Sequence, residues 1–224
     1  MATLSKRTAT ASPDTPEAVA PDSRQMILET AARLFRRDGY AATTLRAIAA
    51  DCDMKAGSIY YHFASKDVIV AEVLDIGVRR VFDAVKQAVD ALPPGTGLAD
   101  TLRCAIETHL RALLLAHDFT SANIRILGQV PLPVREAHRA LRRRYERYWV
   151  TLLSGLRQRG DIRATSDLNR TVFFLFGAMN WATEWYDERK SPLAVVAGEL
   201  ADLVAHGLHS HDNTTGQPKP TGLT

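Results

Sequence analysis

The chain has 224 residues, which is long enough to bury a substantial core, and its 46% hydrophobic and 24% charged residues are typical of a soluble globular protein. The formal net charge of +3 is compatible with a nucleic-acid partner but does not indicate one. No apolar run approaches the ~20 residues of a membrane span, and the N-terminal region lacks an apolar secretory segment, so we expect a cytoplasmic protein that does not contact a membrane.

The N-terminal region predicts a disordered arm followed by a helix. Residues 1–21 are rich in Ala, Thr, Ser and Pro and show no hydrophobic period. Asp22, with Gln25 three residues later, resembles a capping box at the start of a helix. The helical pattern continues to about Arg37, and Asp38-Gly39 predicts its end because glycine readily adopts a left-handed backbone.

The stretch from Thr44 to Phe63 predicts two short helices joined by a tight turn. The first has apolar residues on one face and a threonine that can cap its N-terminus. The turn centres on Asp53, a residue type that tolerates the left-handed conformation. The second helix would bury Ile59 and leave Lys55 and Tyr61 on other faces. Such a pair, with cationic, hydroxyl and aromatic groups exposed, is typical of a helix-turn-helix that enters the DNA major groove.

This stretch resembles the DNA-binding segment of the tetracycline-repressor (TetR) family, whose members carry a block like T-T-x-x-x-I-A-x-x-x-x-v-s-x-G-t-l-Y-x-H-F-x-s-K. The resemblance extends over about residues 24–74 and differs from the family pattern at Asp53, where Gly is usual, and at Lys55, where Ser or Thr usually caps the helix. The matching residues are Thr43, Thr44, Ile48, Ala49, Met54, Gly57, Ser58, Ile59, Tyr60, His62, Phe63, Ser65 and Lys66.

The resemblance implies an all-α fold, in which an N-terminal three-helix helix-turn-helix domain is joined by a long helix to a C-terminal helical ligand-binding and dimerisation domain. We therefore divide the chain into a disordered arm (1–21), a DNA-binding domain (22–82, with the helix-turn-helix at about 44–65), an effector-binding and dimerisation domain (83–210) and a disordered tail (211–224).

The motif match also implies which residues would contact double-stranded DNA at a palindromic operator. Lys55, Ser58, Tyr61 and His62 are expected at the major groove, with a phosphate contact at Lys55, while the small residues Ala56 and Gly57 would let the surface come close. The residues expected near phosphates are Thr43, Thr44, Arg46, Tyr60 and Lys66.

Helical patterns fill the rest of the chain. A long helix is predicted from Lys66 to Leu92, with Ser65 as its N-cap and Pro93-Pro94 at its end. It is either a lever between the two domains or scaffolding. The following PPGTG segment lacks the features of a nucleotide-binding loop and is interpreted as a turn. Further helices are predicted at 98–115, 120–129, 134–159, 168–188 and 193–209, with Pro131 and Pro133 as chain breaks.

The last predicted helix contains a row of small residues beside a Leu and Val stripe. Because small residues let helices approach closely, this row predicts either a dimer interface or packing within the chain. The family resemblance favours a homodimer formed through the last two long helices. The proposed interface residues are Ala194, Gly198, Ala201 and Ala205.

An arginine-rich segment from Arg135 to Arg163, with nine arginines and three acidic residues, predicts either an anion site or a solvated helix face. Arg144 is singled out because it lies near the apolar stripe. The segment FGAMNWATEWY resembles the C-terminal region of a TetR subgroup that controls fatty-acid and steroid catabolism, which implies an effector of the acyl-CoA type. The candidate effector-binding residues are Phe119, Arg144, Tyr145, Trp149, Phe174, Asn180 and Trp181.

No sequence motif of a hydrolase, zinc protease or nucleotide-binding enzyme occurs, and no group of histidines is spaced to hold a metal. We therefore expect no enzyme activity, no cofactor and no metal. His109, His117 and His138 are interpreted as surface or core residues, and Cys52 and Cys104 as reduced core thiols.

The sequence thus predicts a ligand-responsive DNA-binding regulator, a repressor released from its operator by an acyl-CoA-type effector. The alternatives are a repressor that responds to drugs or other small hydrophobic molecules, an all-helical enzyme with a site among residues 100–190, and a helical adaptor.

Overall fold

The computed structural model describes residues 23–116 and 118–208. The predicted disordered arm and tail, the capping residue Asp22 and His117 lie outside these residues. Within them the predicted all-α architecture is confirmed, with nine α-helices and a π-helical turn at Ala112–Ala116. The helices are α1 (Ser23–Ala42), α2 (Leu45–Asp51), α3 (Ala56–His62), α4 (Lys66–Asp90), α5 (Leu98–Arg111), α6 (Asp118–Ile126), α7 (Leu132–Gln158), α8 (Leu168–Trp185) and α9 (Leu193–Leu208).

The start of α7 corrects the prediction that Pro133 breaks the chain. The helix begins at Leu132, so Pro133 lies in its first turn. A proline is compatible with this position because the N–H groups of a first helical turn have no partner within the helix.

The helix-turn-helix is fixed by local interactions that the sequence predicts. Thr44 caps α2, because its side chain accepts a hydrogen bond from the Ala47 N–H at 3.1 Å. Asp53 has a φ of 52° and so adopts the left-handed conformation expected of the turn. Lys55 occupies the N-cap position of α3 without a capping side-chain bond. Ser65 caps α4 by accepting from the Val68 N–H at 3.3 Å.

Two hydrophobic cores are built on α4. The first core contains buried residues of α1, α2 and α3 together with residues 69–74 of α4, and α6 contributes Phe119 and Ile126 to it. The second core contains residues 78–85 of α4 with buried faces of α5, α7, α8 and α9. The same helix therefore supports the helix-turn-helix at one end and the C-terminal bundle at the other.

The backbones of helices α4 and α6 approach each other closely at Gly77. A Cβ atom placed on Gly77 would lie 2.5 Å from the Phe119 carbonyl oxygen and 3.0 Å from its carbonyl carbon. Both atoms belong to the backbone of α6, so no side-chain movement could relieve such a contact. Glycine at this position therefore sets the spacing between the two helices.

We predict that Gly77→Ala lowers the free energy of unfolding by about 1–3 kcal/mol, because the added methyl group forces α4 and α6 apart. Gly155→Ala is the matched control: Gly155 lies in α7 with no atom within 4 Å of the position that a Cβ would take, so alanine should raise stability by about 0.5–1 kcal/mol. Urea unfolding at one protein concentration measures both, and equal stability changes would contradict the prediction.

Candidate DNA interface and ligand cavity

Helix α3 presents two tyrosines to solvent. Tyr60 is 61% exposed and Tyr61 is 89% exposed, whereas Ile59 of the same helix is fully buried in the first core. The His62 ring meets the Tyr61 ring edge-on, with 5.4 Å between the ring centroids. Aromatic side chains this exposed on a short, well-anchored helix are typical of a contact surface.

The surroundings of α3 leave room for a large partner. Lys55 and Gly57 are exposed, and no atom lies within 4 Å of the position of a Gly57 Cβ. Ala56, Ser58 and His62 are half-buried. Thr44 and Arg46 are exposed at the start of α2. These exposed and half-buried residues of the predicted DNA contact set therefore lie at the ends and on the solvent-facing side of α2 and α3.

Two residues of the predicted phosphate-contact set are engaged inside the protein. Thr43 is 1% exposed, and its hydroxyl donates to the Gly39 carbonyl at 2.8 Å. The Lys66 ammonium donates to the carbonyls of Tyr40 at 2.9 Å and Thr43 at 3.0 Å, and lies 3.9 Å from the Tyr40 ring centroid. Burial lowers the pKa of Lys66. These contacts anchor the segment between α1 and α2, a role that differs from direct phosphate binding.

A ligand-sized cavity of about 200 Å³ lies among helices α4 to α8. Its wall is mainly apolar, and α5, α6, α7 and α8 each contribute polar side chains to it. The lining residues are Gly77, Val78, Val81, His109, Leu113, Thr120, Asn123, Ile124, Leu127, Arg142, Tyr145, Glu146, Phe176 and Asn180.

The buried polar centre of the cavity is the pair His109 and Tyr145. The His109 Nδ1 lies 2.9 Å from the Tyr145 hydroxyl oxygen, and the rings stack with 5.9 Å between centroids. Burial lowers the pKa of His109 to about 4, an effect that neighbouring Asn180 partly offsets, so the ring is neutral at pH 7. Burial also raises the pKa of Tyr145, which keeps its hydroxyl protonated.

A second polar group, which we call the polar bridge, joins the cavity to α4. The Asn123 amide donates to the Leu74 carbonyl at 2.8 Å and lies 3.1 Å from His138 Nε2. The His138 Nδ1 lies 2.7 Å from an Asp75 carboxylate oxygen. Burial lowers the pKa of His138, and Asp75 opposes this shift. The bridge thus links α4, α6 and α7 through one residue, Asn123, that also lines the cavity.

The structure brings only part of the predicted effector set together. Tyr145 and Asn180 line the cavity. Phe119 and Trp149 are buried in the first and second cores respectively, and neither lines it. The members that lie exposed and away from the cavity are Arg144, Phe174 and Trp181.

Arg142, one turn before Tyr145 on α7, lines the cavity in place of Arg144. Arg144 is exposed, and its guanidinium carbon lies 5.6 Å from the ring centroid of Phe82 on α4. His109 is a further lining residue that was not predicted from the sequence. Its position three residues after Ile106 on an apolar helical face was an available signal, because a histidine there must be buried.

The small-residue row on α9 packs differently from the prediction. Ala201 is fully buried and Ala205 is 8% exposed, and both belong to the second core, where α9 packs on α5. Gly198 lies beside Arg103 of α5, and Ala194 is exposed. Most of this row therefore packs within the chain, where its small residues let α9 approach α5 closely.

A different face of α8 and α9 is exposed and apolar. On α8 the exposed side chains are aromatic, and on α9 they are aliphatic. The members of this apolar face are Phe173, Phe174, Trp181, Trp185, Val195 and Leu203. Phe174 and Leu203 of this set line one groove between α8 and α9, and an exposed apolar groove is typical of a protein interface.

Within the described ranges, no group of three or more His, Cys, Asp or Glu side chains is placed to hold a metal ion. Nor does any helix in that part of the chain combine the length and apolar character needed to cross a membrane.

Comparison with known proteins agrees with these features. The family pattern described as "Bacterial regulatory proteins, tetR family" matches residues 27–73, and "Tetracyclin repressor-like, C-terminal domain" matches residues 95–208. The HTH-type transcriptional repressor KstR2 of Mycolicibacterium smegmatis is 30% identical over 178 residues, which cover 78% of this chain and 83% of that protein. KstR2 of Rhodococcus jostii is 27% identical over 192 residues, covering 85% and 93%.

Solved structures share the fold. The ketosteroid transcriptional regulator KstR2 of Mycobacterium tuberculosis superposes with a TM-score of 0.71 at 22% identity, covering 86% of this chain and 97% of that one. AibR in complex with isovaleryl coenzyme A and operator DNA superposes with a TM-score of 0.71 at 20% identity, covering 84% and 98%. Because both family patterns match in order and together span most of the described residues, this chain belongs to the TetR family of bacterial regulatory proteins.

Proposed function

We propose that this protein is a dimeric, ligand-responsive transcriptional repressor that an acyl-CoA-type effector releases from its operator. The observation that carries the proposal is that α4 supports the helix-turn-helix at one end and walls a ligand cavity at the other. The family and the curated relatives, which are named repressors, support the same function. We propose no catalytic activity, since the relatives are regulators.

DNA recognition is assigned to α3 and to the start of α2. Exposed Lys55 and Arg46 are available to phosphates, while exposed Tyr61 and half-buried Ser58 and His62 are placed to reach base edges. Phosphate contacts set affinity and its salt dependence, whereas base contacts set sequence preference. Thr43 and Lys66 are proposed to act indirectly, by holding the segment before α2 in place.

We predict that Lys55→Ala weakens binding to all DNA and lowers the salt slope of the binding constant by about one, because one phosphate contact is lost. Tyr61→Ala should lose more affinity on the operator than on random DNA. Lys86→Ala, at an exposed lysine near the far end of α4, is the control and should change neither. Titration of labelled DNA fragments at several salt concentrations measures these effects. If Tyr61→Ala lost equal affinity for the operator and for random DNA, Tyr61 would not contact base edges.

Dimerisation is assigned to the exposed apolar face of α8 and α9. A single helix-turn-helix reads only a few base pairs, so specific binding calls for two copies. A groove between these helices is lined by Phe174, Leu200 and Leu203, and it could accept a helix of the second copy. A second copy of this chain is the occupant that we propose for this face.

We predict that Leu203→Glu shifts the protein toward monomer without unfolding it, because Leu203 is 73% exposed and contacts solvent in the single chain. Ala201→Leu is the matched comparison: it should lower the unfolding free energy of each subunit by about 1–3 kcal/mol, since Ala201 is fully buried. Sedimentation equilibrium and urea unfolding measure the two effects. A wild-type monomer at micromolar concentration, or an unaffected Leu203→Glu dimer, would contradict this interface.

The effector is proposed to place a compact acyl group in the cavity and its charged portion outside. The cavity of about 200 Å³ is smaller than the 300–1,000 Å³ that typically enclose a drug-sized ligand, so a whole CoA thioester would not fit. Arg142 lies at the cavity with Glu146 at 3.9 Å, a weak partly exposed pair that leaves the guanidinium able to contact phosphate. The surrounding exposed arginines of α7 add positive charge.

We predict that CoA thioesters with short acyl chains release the operator, in a panel that includes free fatty acids and aromatic drugs. Arg142→Ala should raise the thioester concentration needed for release by about tenfold or more, since a charged hydrogen bond contributes about 1.5–3 kcal/mol. Arg189→Ala, at an exposed arginine between α8 and α9 that does not line the cavity, is the control. If drugs release the operator and no thioester does, a regulator that responds to small hydrophobic molecules becomes the better assignment.

A further inference from the structure

Two buried polar atoms of residues that line the cavity have no partner at hydrogen-bond distance among the described residues, although the Asn180 side chain lies close enough to His109 to raise its pKa. They are Nε2 of His109, a residue that is 4% exposed, and Oγ1 of Thr120, which is 5% exposed. Buried polar atoms are satisfied in the great majority of cases, and leaving one unsatisfied costs about 1–3 kcal/mol. Two such atoms in one cavity therefore indicate that a polar group of a ligand belongs between them.

The hydrogen-bond pattern of His109 determines what its free nitrogen can do. Its Nδ1 meets the protonated Tyr145 hydroxyl at 2.9 Å. If that hydroxyl donates to Nδ1, the proton of the neutral ring sits on Nε2, and only this one donor is unpaired. The reverse direction would leave a hydroxyl donor and a ring acceptor both unpaired. The first arrangement leaves fewer hydrogen-bonding groups unpaired, so we assign the proton of His109 to Nε2.

The charge of the wall limits the acceptor that this donor can bind. The His109 ring is buried and neutral, so it supplies no positive charge to a group placed against it. A carboxylate placed against His109 would therefore be buried without a dedicated cation, which is costly. A carbonyl oxygen accepts the same hydrogen bond without carrying a charge. Thr120 can donate or accept and so can contact the same oxygen or an adjacent polar atom.

We infer that the cavity recognises an uncharged carbonyl group, such as a ketone or thioester, through the Nε2–H of His109 with the Thr120 hydroxyl as a second contact. This assignment rests on the proposed ligand-responsive function and specifies which chemical group of the ligand the cavity binds. Tyr145 is then a positioning residue, since it holds the ring in the donating tautomer.

The first test uses small probes without CoA. In nitrogen-15 histidine NMR, His109 should show a proton on Nε2, and cyclohexanone should shift that signal while cyclohexane and cyclohexanecarboxylate do not. His109→Phe should weaken cyclohexanone binding by about three- to tenfold, as expected for loss of one neutral hydrogen bond. Thr120→Val, which keeps the shape of the side chain, should weaken cyclohexanone binding less. His206→Phe, at an exposed histidine of α9, should not weaken it.

A control for misfolding is built into the same experiment. If His109→Phe does not fold, Tyr145→Phe is the alternative variant, because it leaves His109 in place and removes only the hydroxyl that contacts its Nδ1. A population of His109 with the proton on Nδ1 should then appear, and the preference for cyclohexanone over cyclohexane should fall. An Nδ1–H tautomer in the wild type, or a cyclohexanone signal that matches that of cyclohexane, would overturn the inference.

The second test separates this inference from the effector assignment. Isovaleryl-CoA and its thioether analogue, isopentyl-CoA, differ only in the carbonyl oxygen. The thioester should bind more tightly by about three- to tenfold, and His109→Phe should abolish that difference. If neither CoA compound binds but His109 still distinguishes cyclohexanone, only the acyl-CoA assignment fails. If both CoA compounds bind equally in wild type, the carbonyl inference fails and the effector assignment stands.

Discussion

The close approach of α4 to α6 at Gly77 is the constraint on which the rest of the structure depends. No side chain fits between Gly77 and the Phe119 carbonyl, so the two helices are held at backbone contact. On one side of this contact, α4 and α6 share the core that carries the helix-turn-helix. On the other side, both helices line the cavity. Because packed helices shift as units, we expect a change in the cavity wall to be transmitted to the domain that carries α3.

The polar bridge makes that transmission specific. Asn123 lines the cavity and also bonds the Leu74 carbonyl of α4, while His138 connects the same amide to Asp75. A ligand that moves α6 relative to α4 must disturb these hydrogen bonds, and the buried side chains of Asn123 and His138 have few alternative partners. For a hundredfold effect on DNA affinity, the ligand must favour the DNA-incompetent arrangement by about 2.7 kcal/mol.

Local features were predictable from the sequence, and features that depend on helix arrangement were not. The Thr44 and Ser65 caps and the left-handed Asp53 follow from short-range chemistry, and the structure confirms them. The orientation of α9 did not follow, because it is apolar on more than one face and Ala201 could have faced either α5 or a partner. The cavity draws on five helices, so choosing Arg142 over Arg144 required their relative rotation. The engagement of Lys66 with two carbonyls likewise depends on where α1 ends.

Coupling between the cavity and DNA through Asn123 is the central claim, and linkage provides its most direct measurement. The affinity of isovaleryl-CoA is measured for free and for operator-bound protein, in wild type and in Asn123→Ala. We expect operator DNA to weaken wild-type binding by about a hundredfold, and the ratio of the two affinities to fall below about tenfold in the variant, whatever the variant does to each affinity alone. An unchanged ratio in Asn123→Ala would contradict coupling through this residue.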